Sequence, residues 1–141
     1  MYSIGTEIKR YVMKAQINYY VQKLNYELDS WDLADMNIRG EKVAIIDTRS
    51  AAAYEREHIP GAINIPHRSM NTESTSFLHK EVLCVTYCNG IGCNASTKGA
   101  LNLIRLGFRV KELAGGLDWW KRDGHETGGT KVMETVFSCN C

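Results

Sequence analysis

The sequence is short of net charge, of long apolar runs and of repeats, and these shortages narrow what the chain can do. Its 17 Lys+Arg stand against 16 Asp+Glu, a formal charge of +1. That balance removes any global electrostatic case for nucleic acid or an anionic membrane as the main partner. No stretch approaches the ~20 apolar residues that a membrane span needs. Glu7, Lys9, Arg10 and Lys14 interrupt the amino-terminal segment where a secretory signal would need an unbroken apolar core. The expected compartment is therefore the cytoplasm, where thiols stay reduced unless they are redox-active. No repeat or low-complexity segment stands out, and the only two prolines, Pro60 and Pro66, fall within one short stretch.

What is present is ordinary in bulk and unusual in one respect. Hydrophobic residues at 44% and charged residues at 23% are globular values, against disorder and against a fibrous repeat. A chain of 141 residues fits one domain. At that size a fold buries roughly 70% of its unfolded-chain surface and needs no staples. The five cysteines are the exception. An odd number cannot all pair within the chain, and the chain is too long for a disulfide-scaffolded miniprotein. A working thiol is expected rather than a structural disulfide.

Residues 1–24 read as a helix, with Ile4, Ile8, Val12, Ala15 and Tyr19 at helical spacing and a second stripe through Ile17, Val21 and Leu24. Four basic residues and one acidic give it +3 through Lys23, too little for a nucleic-acid arm. It either packs on its own domain or forms a homodimer contact. Beyond it the pattern alternates. A short strand at 25–28 leads to Asp29 and Ser30, good helix N-caps, before WDLADMNIR, closed by Gly40. KVAIID at 42–47 is an apolar run ending in a charge, as a doubly covered parallel strand should be. Ser50 opens the helix AAAYER, AINI at 62–65 is a third strand stopped by Pro66, and VLCVTY at 82–87 is the fourth. A helix follows from Asn94 to Leu106, closed by Gly107; FRVKEL at 108–113 is the fifth strand, and LDWWKRD, ended by Gly124, the last helix. Such alternation predicts an α/β fold with a mostly parallel sheet. Chemistry then belongs at the carboxyl ends of the strands, near Asp47–Arg49, Pro66–Arg68 and Cys88–Asn94.

The segment VTYCNGIGCNASTK carries the most information. Cys88 closes a strand, Gly90 and Gly92 let the backbone turn back on itself, and a helix starts near Asn94. Inward-pointing amides and a helix N-terminus favour an anion there, so the cysteine should hold its sulfur as thiolate. A helix end contributes ~0.3–1 kcal/mol, less than one pKa unit at ~1.36 kcal/mol. Hydrogen bonds to a charged acceptor contribute ~1.5–3 kcal/mol each, so the loop amides outweigh the helix.

Spacing separates three chemistries for such a loop. A cysteine phosphatase needs an arginine six residues after its cysteine to clamp phosphate. That position is Asn94, and no arginine lies between Cys88 and Lys98. A dinucleotide fingerprint is spelled by Gly90, Gly92 and Ala95, with Glu112 about 20 residues on, but it should open the first βα unit, and three strands precede it here. The third chemistry is transfer of a sulfur atom through a persulfide on Cys88, which asks for a nucleophilic thiolate, an amide cradle and a compact loop.

At these residues the chain resembles a known family. IIDTRSAAAYEREHIPGAINIP, YCNGIGCNASTKGALNLIRLGF and LAGGLDWWKRDG resemble, in order, the three characteristic motifs of single-domain rhodaneses, with Trp120 at the usual tryptophan position. The likeness spans residues 25–127, leaving 1–24 as a helical extension and 128–141 as a tail. It implies a three-layer α/β/α domain on a five-stranded, mostly parallel sheet, with Cys88 as catalytic cysteine. It also implies a six-residue loop, Cys88 through Cys93, in which the backbone amides of Asn89, Gly90, Ile91, Gly92 and Cys93 cradle the transferred sulfur. This chain has Cys93 where many thiosulfate-using members carry arginine, and Glu57 before His58 where glycine is usual.

The resemblance and the loop together lead us to expect a sulfurtransferase. It would move a sulfane sulfur from a thiosulfate or persulfide donor, small molecule or protein, to a thiol or cyanide acceptor, with no metal or other cofactor. Cys93 is a candidate resolving thiol, closing a disulfide with Cys88 after a persulfide or sulfenic acid has formed, or else a small residue at the loop's end. Arg49 and Arg68 follow strand ends and are candidates to assist an anionic donor, although Asp47 and Arg49 read first as an ion pair. His58 and His67 are acid–base groups by type but read as structural, since a thiolate needs no partner base. Cys84 alternates with apolar neighbours inside a strand and reads as buried packing. Trp31, Trp119 and Trp120 read as core or rim packing. Cys139 and Cys141 form a C-x-C that reads as a frayed tail, with a sulfur relay or a metal pair as lesser readings, and zinc on Cys88, Cys93, Cys139 and Cys141 would straddle the loop. Two rival functions remain: a thiol–disulfide redox protein using Cys88 and Cys93, and a non-catalytic binding module of the same fold.

Overall fold

A computed structural model describes residues 3–130 of the chain, so Cys139 and Cys141 lie outside the described residues. Ser3 caps α1 (Ile4–Tyr26), its hydroxyl accepting the Thr6 N–H. The helix runs two residues past its expected end, and β1 (Glu27–Leu28) is only two residues long. It pairs only where its neighbour offers Glu112 and Leu113, so residues 25 and 26 stay helical. Asp29 and Asp32 then form a reciprocal capping box at the start of α2 (Ser30–Ile38). The chain continues through β2 (Val43–Asp47), the Ser50-capped α3 (Ala51–Arg56), β3 (Ile63–Asn64) and a 3-10 turn at His67–Ser69. Next come β4 (Leu83–Tyr87), α4 (Ala95–Arg105), β5 (Val110–Leu113) and α5 (Gly116–Arg122).

The five strands lie in the order β1-β5-β4-β2-β3, and every pairing is parallel. Alternation along the central strands sets the layers. Val43, Ile45, Val85 and Tyr87 face one side, packing with Leu33 of α2, Tyr54 of α3, and Leu117 and Trp120 of α5. Ala44, Ile46 and Cys84 face the other, packing with Leu103 of α4 and with Phe108. The result is the expected α/β/α arrangement, with the loops after β2, β4 and β5 at one end of the sheet.

β3 keeps only Ile63–Asn64 of the expected 62–65, and β5, like β1, is shortened because a neighbouring structure takes its first residues. β5 starts at Val110 rather than 108, because Gly107 (φ 95°) and Phe108 close α4 in a Schellman motif. The Gly107 N–H donates to the Ile104 carbonyl at 2.9 Å, and the Phe108 N–H to the Leu103 carbonyl at 3.0 Å. α1 contains no buried residue, so it does not pack its length on its own domain as the first reading allowed. Its apolar side chains fall on two roughly opposite faces. Ile8, Val12 and Tyr19 mark one face and Met13, Ile17 and Leu24 the other, and all of them are exposed. Among the described residues, no helix is long and apolar enough to cross a membrane.

Candidate active site

Cys88 follows the last residue of β4 and is almost completely buried. Its carbonyl accepts the Leu117 N–H at 2.9 Å, and the Asn89 carbonyl accepts the Asp118 N–H at 2.8 Å. The first turn of α5 thus ties down the start of the loop. That approach requires Gly116, whose φ is +58° and whose missing Cβ would lie 2.3 Å from the Cys88 carbonyl oxygen. The far end of the loop runs into α4, where Ala95 and Ser96 are buried and Thr86 Oγ1 donates to the Ser96 carbonyl at 3.0 Å. Strand, loop and helix therefore stand as the spacing predicted.

Within the loop, Cys88 and Cys93 are joined in a disulfide, with Cα atoms 6.3 Å apart. The Cys93 N–H closes a turn on the Gly90 carbonyl at 3.2 Å. Neither Gly90 nor Gly92 is among the glycines with positive φ. The chain is thus described in an oxidised form, in which Cys88 carries no nucleophilic thiolate.

Asp47 and Arg49 form the expected ion pair at 2.7 Å, fully buried at the end of β2. Arg49 also donates to the Glu57 carbonyl (2.6 Å) and to Asn89 Oδ1 (2.8 Å). With the bonds from Nε and Nη2 to Asp47, four of its five N–H groups are engaged. Burial alone would lower the Arg49 pKa, but the hydrogen bond and charge of Asp47 outweigh it, and the net shift is upward. Arg49 thus places its donors on Asp47, the Glu57 carbonyl and Asn89, and holds the loop through Asn89. Tyr87 joins the same network, its hydroxyl donating to Asp47 Oδ2 at 2.7 Å and accepting the Ile59 N–H at 3.1 Å. Burial, then the Asp47 charge, pushes its pKa up.

A cavity of about 580 Å³ opens on the loop, with Cys88, Gly90, Ile91 and Cys93 in one wall. The other walls come from α1, β1, α2, α4, β5 and α5. Their charged groups are Lys23, Glu27, Asp29, Glu112 and Asp123, four carboxylates against one ammonium. Lys23 pairs with Glu27 at 2.6 Å. Glu112 accepts from the hydroxyls of Ser96 and Thr97, each at 2.6 Å, and Asp123 from the hydroxyl of Ser30. Trp119 lines the cavity, whereas Trp120 is buried, its indole N–H donating to the Glu126 carbonyl at 2.8 Å. Trp31 lies edge-on to His125.

Other candidates from the sequence lie apart from this cavity. Arg68 is exposed on the 3-10 turn, and neither it nor Arg49 lines the cavity. His58 stacks on Tyr54, with Nδ1 2.6 Å from the Tyr54 carbonyl. His67 is buried, and burial, Lys98 and Arg68 lower its pKa. Cys84 is fully buried in the α4-side core, and burial pushes its thiol up to about 11. Sequence reasoning missed the acidic walls. Glu112 drew notice only in the dinucleotide fingerprint, although its position near the carboxyl end of β5 was a usable signal.

The chain matches known proteins along most of this fold. A family model described as a rhodanese-like domain matches residues 30–123. A thiosulfate sulfurtransferase from Coxiella burnetii, GlpE, is 31% identical over 96 residues, covering 67% of this chain and 82% of that protein. A solved protein from Bacillus halodurans superposes with a TM-score of 0.80 at 42% identity, over 84% of this chain and 87% of its own. One from Lactobacillus plantarum gives 0.68 at 26% identity, over 81% and 97%.

Proposed function

This chain belongs to the rhodanese-like domain family, and from that footing we propose that it transfers sulfane sulfur through a persulfide on Cys88. The observation that carries the reading is the placement of Cys88. It directly follows the central strand β4 beside a cavity large enough for a small donor, on a loop held by α5 and Arg49. In the reduced form the Cys88 thiolate attacks the sulfane sulfur of thiosulfate or a persulfide, and the donor's remainder leaves with the electron pair of the broken bond. The amides of Asn89 to Cys93 hold the terminal sulfur anion. Gly90 and Gly92, which use no left-handed φ in the disulfide form, supply the backbone freedom to form that cradle. A thiol or cyanide then takes the sulfur.

The cavity walls bear on the donor. A dianion entering among four carboxylates and one paired ammonium meets net repulsion. The reading therefore favours a neutral or cationic persulfide over thiosulfate. We place the protein in the cytoplasm, where the thiol pool returns Cys88 and Cys93 to the dithiol. A second copy of the chain is the partner proposed for α1, whose apolar side chains, Ile8, Ile17 and Leu24 among them, are exposed. The disulfide favours one second reading, a thiol–disulfide redox protein. Titration against glutathione tests it, because such a pair must show a defined reduction potential.

The test is turnover of thiosulfate or glutathione persulfide by the reduced protein, with cyanide as acceptor and dithiothreitol present to keep the loop open. Wild type turns over and Cys88→Ser does not. Equal turnover by the two overturns the reading.

A further inference from the structure

The disulfide joins Cys93 to one particular atom, Cys88 Sγ. In a Cys88 persulfide that atom is the inner sulfur, so the loop brings the Cys93 thiol to the inner rather than the terminal sulfur. Building on the persulfide reading above, we propose that the protein reduces the sulfane sulfur it has taken up and releases it as hydrosulfide, with Cys93 as the second thiol. The activity is that of a persulfide reductase, and the second substrate is a dithiol that reopens the loop.

The step balances as follows. The Cys93 thiol passes its proton to the outer sulfur as its own sulfur attacks Cys88 Sγ; the bond from Sγ to the outer sulfur breaks, and its electron pair leaves with that sulfur as hydrosulfide. The two cysteines are oxidised by two electrons to the disulfide, and the sulfane sulfur is reduced by the same two. A dithiol then restores both thiols by exchange and is itself oxidised to a disulfide.

Three features of the molecule support this direction. Cys93 is held within the same six-residue loop, its N–H closing the turn on the Gly90 carbonyl, so the attack is intramolecular and has the large effective molarity of a placed partner. Hydrosulfide is a weaker base than an ordinary thiolate and so leaves the more readily. Both sulfur-bearing residues line the cavity, and its carboxylates favour the departure of an anion over its retention.

The experiment uses the pre-reduced, desalted chain treated with thiosulfate or with glutathione persulfide, without external thiol. Wild type should release one hydrosulfide per chain in a single burst and finish two hydrogens lighter than its reduced mass. Dithiothreitol should convert that burst into continuous release. Cys93→Ser should gain the mass of one sulfur and keep it, releasing hydrosulfide at least about 100-fold more slowly. A wild-type chain that retains the added sulfur overturns the proposal, as does a Cys93→Ser chain that releases hydrosulfide as fast as wild type. If neither chain takes up sulfur from either donor, the persulfide reading itself fails and this step fails with it.

Discussion

Replacing Gly116 by alanine tests whether the carbonyl of Cys88 is held where the account needs it. The residue has φ +58°, and a Cβ there would sit 2.3 Å from the Cys88 carbonyl oxygen and 3.1 Å from the Gly90 nitrogen. The left-handed conformation alone costs a non-glycine residue about 1–2 kcal/mol. Relieving the contact means moving the loop off α5, which gives up the Leu117 hydrogen bond at a further ~0.5–1.5 kcal/mol. Gly124 provides the control, since its φ is +88° but nothing lies within 4 Å of its would-be Cβ. Gly124→Ala should lose only the backbone part and keep its activity. Gly116→Ala should be less stable than Gly124→Ala by about 1 kcal/mol in reducing urea titrations. It should also lose on the order of 10²-fold in sulfur transfer, the effect of displacing a reacting atom by about 1 Å. If Gly116→Ala matches Gly124→Ala in both stability and turnover, the tether between α5 and the loop does not position the sulfur.

Further predictions follow from the cavity, the core and the exposed helix. Glu112→Gln keeps acceptor capacity for Ser96 and Thr97 but removes a charge. If Glu112 lies about 8 Å from a bound dianion, that is worth about 1 kcal/mol in a water-like dielectric. Its kcat/KM for thiosulfate should rise roughly five-fold at low salt and the gain should vanish at high salt, while a neutral persulfide is unaffected. An equal response from both donors contradicts the charge argument. Because burial raises the Cys84 thiol from 9.0 to about 11, the native chain keeps a proton that the unfolded chain loses between those values. This contribution to stability is complete below pH 9 and disappears as the pH rises toward 11. Native alkylation of reduced protein at pH 8 should label the half-buried Cys93 and spare Cys84, and early labelling of Cys84 would refute its burial. Ile8→Glu with Ile17→Glu charges both apolar faces of α1 and should turn a dimer into a monomer in sedimentation equilibrium. A wild-type chain already monomeric at high micromolar concentration refutes the pairing.

How much of this was legible in the sequence depends on how local the cause is. The Asp29 and Ser50 caps, the Gly107 helix stop and the apolar runs of β2 and β4 are short-range signals, and each element formed where they stand. Cys88 at a strand end followed by a helix was likewise readable, as was the Asp47–Arg49 pair. The lengths of β1 and β5 were not, because they depend on what pairs with what across the sheet and on the α4 cap. The role of Arg49 also escaped local reading, since a residue 40 positions away accepts its hydrogen bond. The acidic cavity needed the most assembly. Glu27 and Glu112 become neighbours only when β1 docks on β5, and Asp123 arrives from the end of α5. A separation of five positions between Cys88 and Cys93 permitted a disulfide without requiring one.

The central claim is that sulfur lands on Cys88, and intact-mass measurement tests it most directly. The pre-reduced Cys93→Ser chain, which has no second thiol in the loop to discharge a persulfide, is treated with glutathione persulfide and then fragmented. The account predicts a gain of one sulfur atom located on Cys88, abolished when Cys88→Ser is added. A chain that stays at its reduced mass, or that carries the added sulfur on Cys84 or elsewhere, contradicts it.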